Sequence, residues 1–332
     1  MMAQTFPQFA TPFVRLPFDL DVKQLQSELN NLMDMDWLEH PQGLAGNLTL
    51  PLVSVNGQYN HDFAISGQML PTPALHHCPY IRQIMARLQV PISRTRLMLL
   101  APGAEILKHF DAGYHWYRRV RIHIPILTHP EVIFGCADQK IHMQEGEAWC
   151  FDHRKWHWVK NNSSFPRVHL VIDTKGSPDF FSYFLSTKEY VSTESYEVKK
   201  AKSFQLEPYR FEVLEPDEIE ELFTRIIGQF EQLDEPQLVI DLKTLNNNWQ
   251  NTFNLYGHSI KGEKAYGELI KLLAECIDKS RLNHQAMSAY GTIITMLDRN
   301  NGPPIKAIHH GEVTYKTVYS QKEGRLISEL NQ

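Results

Sequence analysis

Arg119-Val120-Arg121-Ile122-His123-Ile124 reads as a strand with two unlike faces. Side chains alternate across a strand, so Arg119, Arg121 and His123 share one side while Val120, Ile122 and Ile124 share the other. The apolar side is core. The cationic side either meets solvent or lines the inside of the fold, and alternation leaves both open. Arg167-Val168-His169-Leu170-Val171-Ile172 repeats the ambiguity. Around these runs lie further short β-runs, Arg96 to Leu100, Val132 to Cys136, Lys140 to Met143, Ala148 to Phe151 and Trp156 to Lys160, parted by turn residues. Short strands at this spacing, with no helices alternating between them, predict a sandwich or barrel from Ile92 to about Asp173 and not a doubly wound parallel sheet.

Helical periodicity brackets this β region. Val22, Leu25, Leu29, Leu32 and Met33 fall on one face of a helix over Val22 to Met33. Ile81, Ile84, Met85 and Leu88 do the same over Pro79 to Leu88, which stops before Pro91. After Asp173, a polar stretch with Ser192-Thr193-Glu194-Ser195 and Lys199-Lys200-Ala201-Lys202 reads as a linker or long surface loop. Pro216 sits where a helix would begin, and Ile219, Leu222, Phe223, Ile226, Ile227 and Phe230 form its apolar face. Further helices are expected around Tyr266 to Ile277 and Met287 to Leu297, then a turn cluster from Asn300 to Pro304. The expected layout is a β domain with flanking helices over 1–185, a linker over 186–210 and a helical C-terminal domain over 211–332. The Ile219 to Phe230 stripe must bury against something, and the barrel's outer wall or a second protomer is nearest, which leaves a homodimer open.

At 332 residues the chain is long enough for this arrangement, and an apolar share of 42% excludes global disorder. With 33 Lys and Arg against 38 Asp and Glu, the net charge of −5 supplies no overall basic field, so neither nucleic acid nor a membrane is expected as a partner. Cys78, Cys136, Cys150 and Cys276 are scattered with no CxxC pair, which speaks for a reducing cytosol and against a cysteine zinc site. The first residues lack a basic then apolar leader pattern, and no apolar run is long enough to span a bilayer, so a cytoplasmic location is expected.

Among sixteen histidines, three polar residues fall where metal chemistry needs them. His109 and Asp111 form an H-x-D pair at a strand edge, just after Pro102-Gly103, and His157 follows inside Trp156-His157-Trp158-Val159. Two imidazoles and a carboxylate carried on sheet strands suit a facial triad on Fe(II), with positions left open for other ligands, and zinc accepts the same set. If His157 faces a metal, the returning strand can place Arg167 beside it, where its guanidinium offers a bidentate fork to a carboxylate.

These residues resemble the aspartyl/asparaginyl β-hydroxylase-like branch of Fe(II)/2-oxoglutarate dioxygenases, including its bacterial free-proline hydroxylases. The likeness rests on Ala101-Pro102-Gly103 ahead of His109-Phe110-Asp111, the run from Arg119 to Pro125, and Glu145-Gly146-Glu147 with Phe151-Asp152. It continues through Trp156 to Val159, Asn161-Asn162-Ser163-Ser164 and Arg167 to Asp173. The resemblance covers roughly residues 20 to 180. It implies a double-stranded β-helix of the jelly-roll or cupin kind, in which His109, Asp111 and His157 bind Fe(II). It also implies that Arg167 pairs with the distal carboxylate of 2-oxoglutarate, and that Arg121 and His123 lie near that cosubstrate's metal-bound end. Animal members of the family carry glycine where Asp111 stands, so the full triad sets this chain with the bacterial branch and weakens transfer of the animal enzymes' substrate.

The implied reaction is hydroxylation of an unactivated C–H bond on a free amino acid, a small derivative or a peptide Asp, Asn or Pro side chain, with 2-oxoglutarate decarboxylated to succinate. Two readings compete with this dioxygenase. One is a zinc hydrolase using the same three ligands, with Glu145 or Glu147 as base; the other is a noncatalytic cupin-like binding module. Phe110 and the Tyr114-His115-Trp116-Tyr117 run either wall a substrate or pack on the barrel. The adjacent pairs His76-His77 and His309-His310 make poor metal sites. No P-loop or G-x-S-x-G elbow is present.

Overall fold

The computed structural model describes residues 9–40, 43–60, 67–185, 192–197 and 203–297. The Lys199 to Lys202 cluster, the Asn300 to Pro304 turn and His309-His310 lie outside the described residues. The chain enters through β1 (Phe13–Leu20) and α1 (Val22–Asn30), passes β2 (Leu38–Glu39), β3 (Asn47–Val55) and β4 (Met69–Pro71), and reaches α2 (Pro79–Leu88). Asp21 caps α1 by accepting from the backbone N–H of Gln24 at 3.1 Å, and Pro79 opens α2, which closes on Gln89 in the left-handed region at φ 50°. The carboxylate of Glu28, on α1, accepts from the backbone N–H groups of Tyr80 and Ile81, so one helix caps the next.

Eight strands then build the barrel: β5 (Ile92–Leu100), β6 (Glu105–His109), β7 (Val120–Leu127), β8 (Val132–Cys136), β9 (Gln139–Ile141), β10 (Glu147–Phe151), β11 (His157–Asn161) and β12 (Arg167–Thr174). The short α3 (Tyr114–Tyr117) separates β6 from β7. One sheet has the order β10-β7-β12-β5, extended by β1 at one side and β3 and β2 at the other, and the second has β6-β11-β8-β9. The chain passes back and forth between two antiparallel sheets, so the topology is a double-stranded β-helix, mainly β with flanking helices, as expected. The expected strand at Arg96 begins earlier, at Ile92, while β1, β3 and β6 carry weaker signals because Pro17, Pro51 and charged residues interrupt their alternation.

Every residue of β5 and β12 is buried, on both faces. Leu97, Leu99, Ile122, Ile124, Val168, Leu170 and Ile172 form a core with Leu25 and Leu29 of α1 and Ile81, Ile84 and Met85 of α2. Each such side chain contributes roughly 1.5 to 3 kcal/mol by leaving water. Arg94, Arg96, Arg121, His123, Arg167, His169 and Asp173 occupy the alternate positions, facing the barrel interior. The cationic face is therefore internal, and the reading in which it meets solvent is excluded.

Beyond α4 (Pro178–Leu185) and β13 (Ser192–Glu194), within the segment expected to link the two parts, residues 205–207 hydrogen-bond along Ile92. Glu207, 1% exposed, pairs there with the fully buried Arg119. The rest is helical: α5 (Pro216–Gln232), α6 (Pro236–Tyr256), α7 (Glu263–Cys276) and α8 (His284–Ile294). The Ile219 to Phe230 stripe buries against α6 and α8 in a core of its own, with Leu242, Trp249, Tyr266, Ala289 and Ile293. That corrects the expected burial against the barrel's outer wall or a second protomer. Tyr114 of α3, fully buried, belongs to this helical core although it follows β6 directly.

Candidate metal centre

His109 ends β6 and His157 begins β11, and the two residues stand opposite each other in the antiparallel register. Their ring centroids are 4.2 Å apart. The Nδ1 atoms lie 2.7 Å from the carbonyl of Leu107 and 2.9 Å from that of Lys155, in each case the residue two before. A carbonyl only accepts, so both Nδ1 atoms carry a proton and Nε2 is the nitrogen each ring can offer a metal. Asp111 is fixed by its backbone N–H donating to the carbonyl of His153 at 2.9 Å, and its Oδ1 is 3.7 Å from His109 Nε2. Donor atoms of His109, Asp111 and His157 all fall within 4.8 Å of one another. Asp111 Oδ2 is buried without a hydrogen-bond partner.

The electrostatics set the charge of this group. Burial pushes His157 down to about 4, with Asp111 opposing the shift, so its imidazole is neutral at neutral pH. Burial alone would raise the Asp111 carboxyl, but the charge of the Arg121 guanidinium opposes it and the carboxyl is held below its usual range. One carboxylate and two imidazoles whose Nδ1 atoms are engaged by backbone carbonyls, leaving Nε2 as the ligating atom, suit a divalent cation. His109 is partly exposed and His157 buried, so the group opens outward on the His109 side.

Arg121, on β7, is opposite Asp173 of β12 and pairs with it, Nε to Oδ1 at 2.9 Å, while its Nη1 lies 3.9 Å from Asp111 Oδ2 and its guanidinium covers the Trp116 ring at 4.2 Å. Arg167 is 3% exposed, and its Nη2 sits 2.7 Å from His169 Nδ1. That nitrogen therefore accepts, and His123 Nδ1, 3.4 Å away, donates to it. Arg167 Nε is buried without a hydrogen-bond partner, and no carboxylate lies within ion-pair distance of this guanidinium among the described residues. Burial pushes its pKa down to about 9. His123 connects the two ends of the interior, since its ring lies 5.4 Å from that of Phe151, which in turn lies 4.8 Å from His157.

Sequence reasoning missed a second group of buried polar residues. Arg94, Arg96, His40 and His115 join Arg121 and Asp173 on the inner face, with Arg94 Nη2 and His115 Nε2 each 3.5 Å from Asp173 Oδ2. Burial, reinforced by Arg96 and Arg121, pushes His40 down to about 3. The signal was the alternation in Ser93-Arg94-Thr95-Arg96, the same R-x-R spacing as Arg119-Val120-Arg121. The candidate bases of the hydrolase reading are engaged elsewhere. Glu145 accepts from Thr128 N at 3.0 Å and Gln26 Nε2 at 3.2 Å, and Glu147 accepts from Gln144 N and Trp149 Nε1, both at 2.8 Å.

Among solved structures, the chain is similar to HygX from Streptomyces hygroscopicus with nickel and 2-oxoglutarate bound, at 9% identity over 51% of this chain and 84% of that one, with a TM-score of 0.35. It is also similar to an oxidoreductase of the 2OG-Fe(II) oxygenase family from Burkholderia pseudomallei, at 13% identity over 46% and 79% of the two chains, with a TM-score of 0.33. A third likeness is to TT1209 from Thermus thermophilus, at 21% identity over 24% and 70%, with a TM-score of 0.21. Likenesses this low carry nothing about function. No curated protein matches the chain. The model of the family described as aspartyl/asparaginyl beta-hydroxylase matches residues 55–176, the segment that holds His109, Asp111, His157 and Arg167. Over that segment, 122 of the chain's 332 residues, the chain is similar to the aspartyl/asparaginyl β-hydroxylase family, and the match supports an enzyme of that kind.

Proposed function

We propose that this enzyme is an Fe(II)- and 2-oxoglutarate-dependent dioxygenase that hydroxylates an unactivated C–H bond of a small molecule or peptide, a free amino acid, a small derivative or a peptide Asp, Asn or Pro side chain. The observation that carries the reading is one barrel interior holding both a two-imidazole, one-carboxylate donor set and a buried guanidinium with no carboxylate of its own. His109, Asp111 and His157 would hold the metal. Arg167 would take the distal carboxylate of 2-oxoglutarate in a charge-assisted contact that its surroundings otherwise lack. When bound, the metal and cosubstrate supply the oxidising power for the hydroxylation. The chain's own residues do the rest. The carbonyls of Leu107 and Lys155 orient the two imidazoles, Arg121 holds Asp111 ionised, and His123, standing between His157 and Arg167, would flank the cosubstrate. Phe134 and Phe151 pack against His123 and keep that end of the interior dry.

The zinc-hydrolase reading fares worse because its candidate bases, Glu145 and Glu147, are committed to backbone and side-chain donors. We read residues 1–185 as the catalytic domain and 211–332 as a helical domain joined to it by 186–210, supported by the separate cores of the two parts. We place the enzyme in the cytoplasm, supported by four free cysteines, three of them buried. The direct test is succinate formation from 2-oxoglutarate by the Fe(II)-loaded protein. Turnover is expected in the wild type, with none in His157→Ala at unchanged far-UV circular dichroism. Equal succinate formation in both would reject the proposal.

A further inference from the structure

The loop from His109 to Tyr114 has two faces, as a strand would. His109 and Asp111 point to the donor cluster, and the residues between and after them meet α8. The Phe110 ring lies 4.3 Å from that of His284, the first residue of α8. A methyl group on Gly291 would come 3.2 Å from Ala112 Cβ. Gly113, at φ +124°, leaves room for Thr295, whose Oγ1 a side chain at 113 would approach to 2.9 Å. Thr295 Oγ1 accepts from the backbone N–H of Tyr114 at 2.7 Å while its own proton goes to the carbonyl of Gly291 at 2.8 Å. Gly113 has no side chain with which to cap α3, and Thr295 instead takes the N–H of the helix's first residue, one of the donors a helix start leaves unpaired. Tyr114 itself is buried in the helical core.

We infer that α8 is a positioning element of the metal centre, with Thr295 and Gly291 setting where the His109-Phe110-Asp111 loop lies. The inference rests on the assignment of His109, Asp111 and His157 as metal ligands. A helix outside the matched family segment thereby controls the geometry of a site inside it. Outer groups that orient metal ligands change metal affinity without touching the ion.

The test titrates Co(II) alone into the full-length chain, with no cosubstrate, and follows its visible absorption and heat. Thr295→Val keeps the shape and removes the acceptor, leaving the Tyr114 N–H without one, and should weaken Co(II) binding about tenfold. Thr295→Ser should bind as the wild type does. Gly291→Ala separates positioning from plain stability, because alanine favours a helix more than glycine does while its methyl pushes on Ala112. The melting temperature of Gly291→Ala should hold or rise as its Co(II) affinity falls several-fold. Wild-type affinity in Thr295→Val, or equal losses in Thr295→Val and Thr295→Ser, would overturn the positioning role. His109→Ala identifies which idea has failed. If it leaves Co(II) binding intact, the ligand assignment falls and takes this inference with it. If it abolishes binding while Thr295→Val binds normally, the positioning role alone falls.

Discussion

Arg167 in the free enzyme is a buried cation whose near polar neighbour is an imidazole. Such a charge costs stability, and the cost is recovered when an anion arrives. Arg167→Ala should therefore leave the melting temperature of the cosubstrate-free protein unchanged or raised. Its 2-oxoglutarate affinity should fall by about one to two decades, corresponding to roughly 1.5 to 3 kcal/mol for a charged hydrogen-bonded contact. Calorimetry with 2-oxoglutarate and a melting curve check both signs, and unchanged affinity would refute the role. His109, Asp111, His157 and Arg167 were legible because each sits in a short motif with a mechanism behind it. Arg94, Arg96 and His40 were not. Arg94 and Arg96 lie in a strand whose inward face only the two-sheet closure makes internal, and His40 comes from a loop far away in sequence.

Elements were legible where one periodicity ran undisturbed. α2 falls where its apolar spacing and Pro79 placed it, and α5 shows the expected stripe. α1 ends at Asn30 and not at Met33, because Leu32 turns its N–H back to the carbonyl of Leu29. α6 escaped notice, since its buried Val239, Leu242, Leu245 and Trp249 are diluted by a polar Asn246-Asn247-Asn248 run. The contact that joins α1 to α2 could not be read from sequence, as Glu28 looks like an ordinary exposed helix residue. Burial pushes its carboxyl up to about 7 from 4.5, against the N–H groups of Tyr80 and Ile81. Between those values the folded chain holds a proton that the unfolded chain has released. Stability from this group is then full below about 4.5 and declines as pH rises through about 7. Urea midpoints measured across that window should show the decline in the wild type and a flatter profile in Glu28→Gln. Parallel profiles would show that Glu28 does not titrate in this way.

At the scale of the molecule, barrel and helices are locked by polar bonds at several points. Lys175 meets Glu212 at 2.6 Å, Arg118 meets Glu218, and the backbone N–H of Tyr114 donates to Thr295 Oγ1 at 2.7 Å. A chain ending after Tyr209 would lose these contacts and expose Tyr114, three residues past Asp111, on the barrel side of the break. Such a fragment should bind Fe(II) more weakly than the full chain or aggregate, as followed by equilibrium dialysis and light scattering. Wild-type affinity in a soluble fragment would show that the helices play no part in the site. The fold class was readable because strand spacing excludes other architectures. The union of the two parts was not, because it rests on single pairs far apart in sequence, such as Arg118 with Glu218. The central claim, that His109, Asp111 and His157 are one metal site, is tested most directly by anaerobic calorimetric titration of Fe(II) into the wild type and Asp111→Ala. One bound ion per chain in the wild type, with binding lost or weakened by at least about tenfold in the variant, is the predicted result. Equal affinity in the two proteins would contradict it.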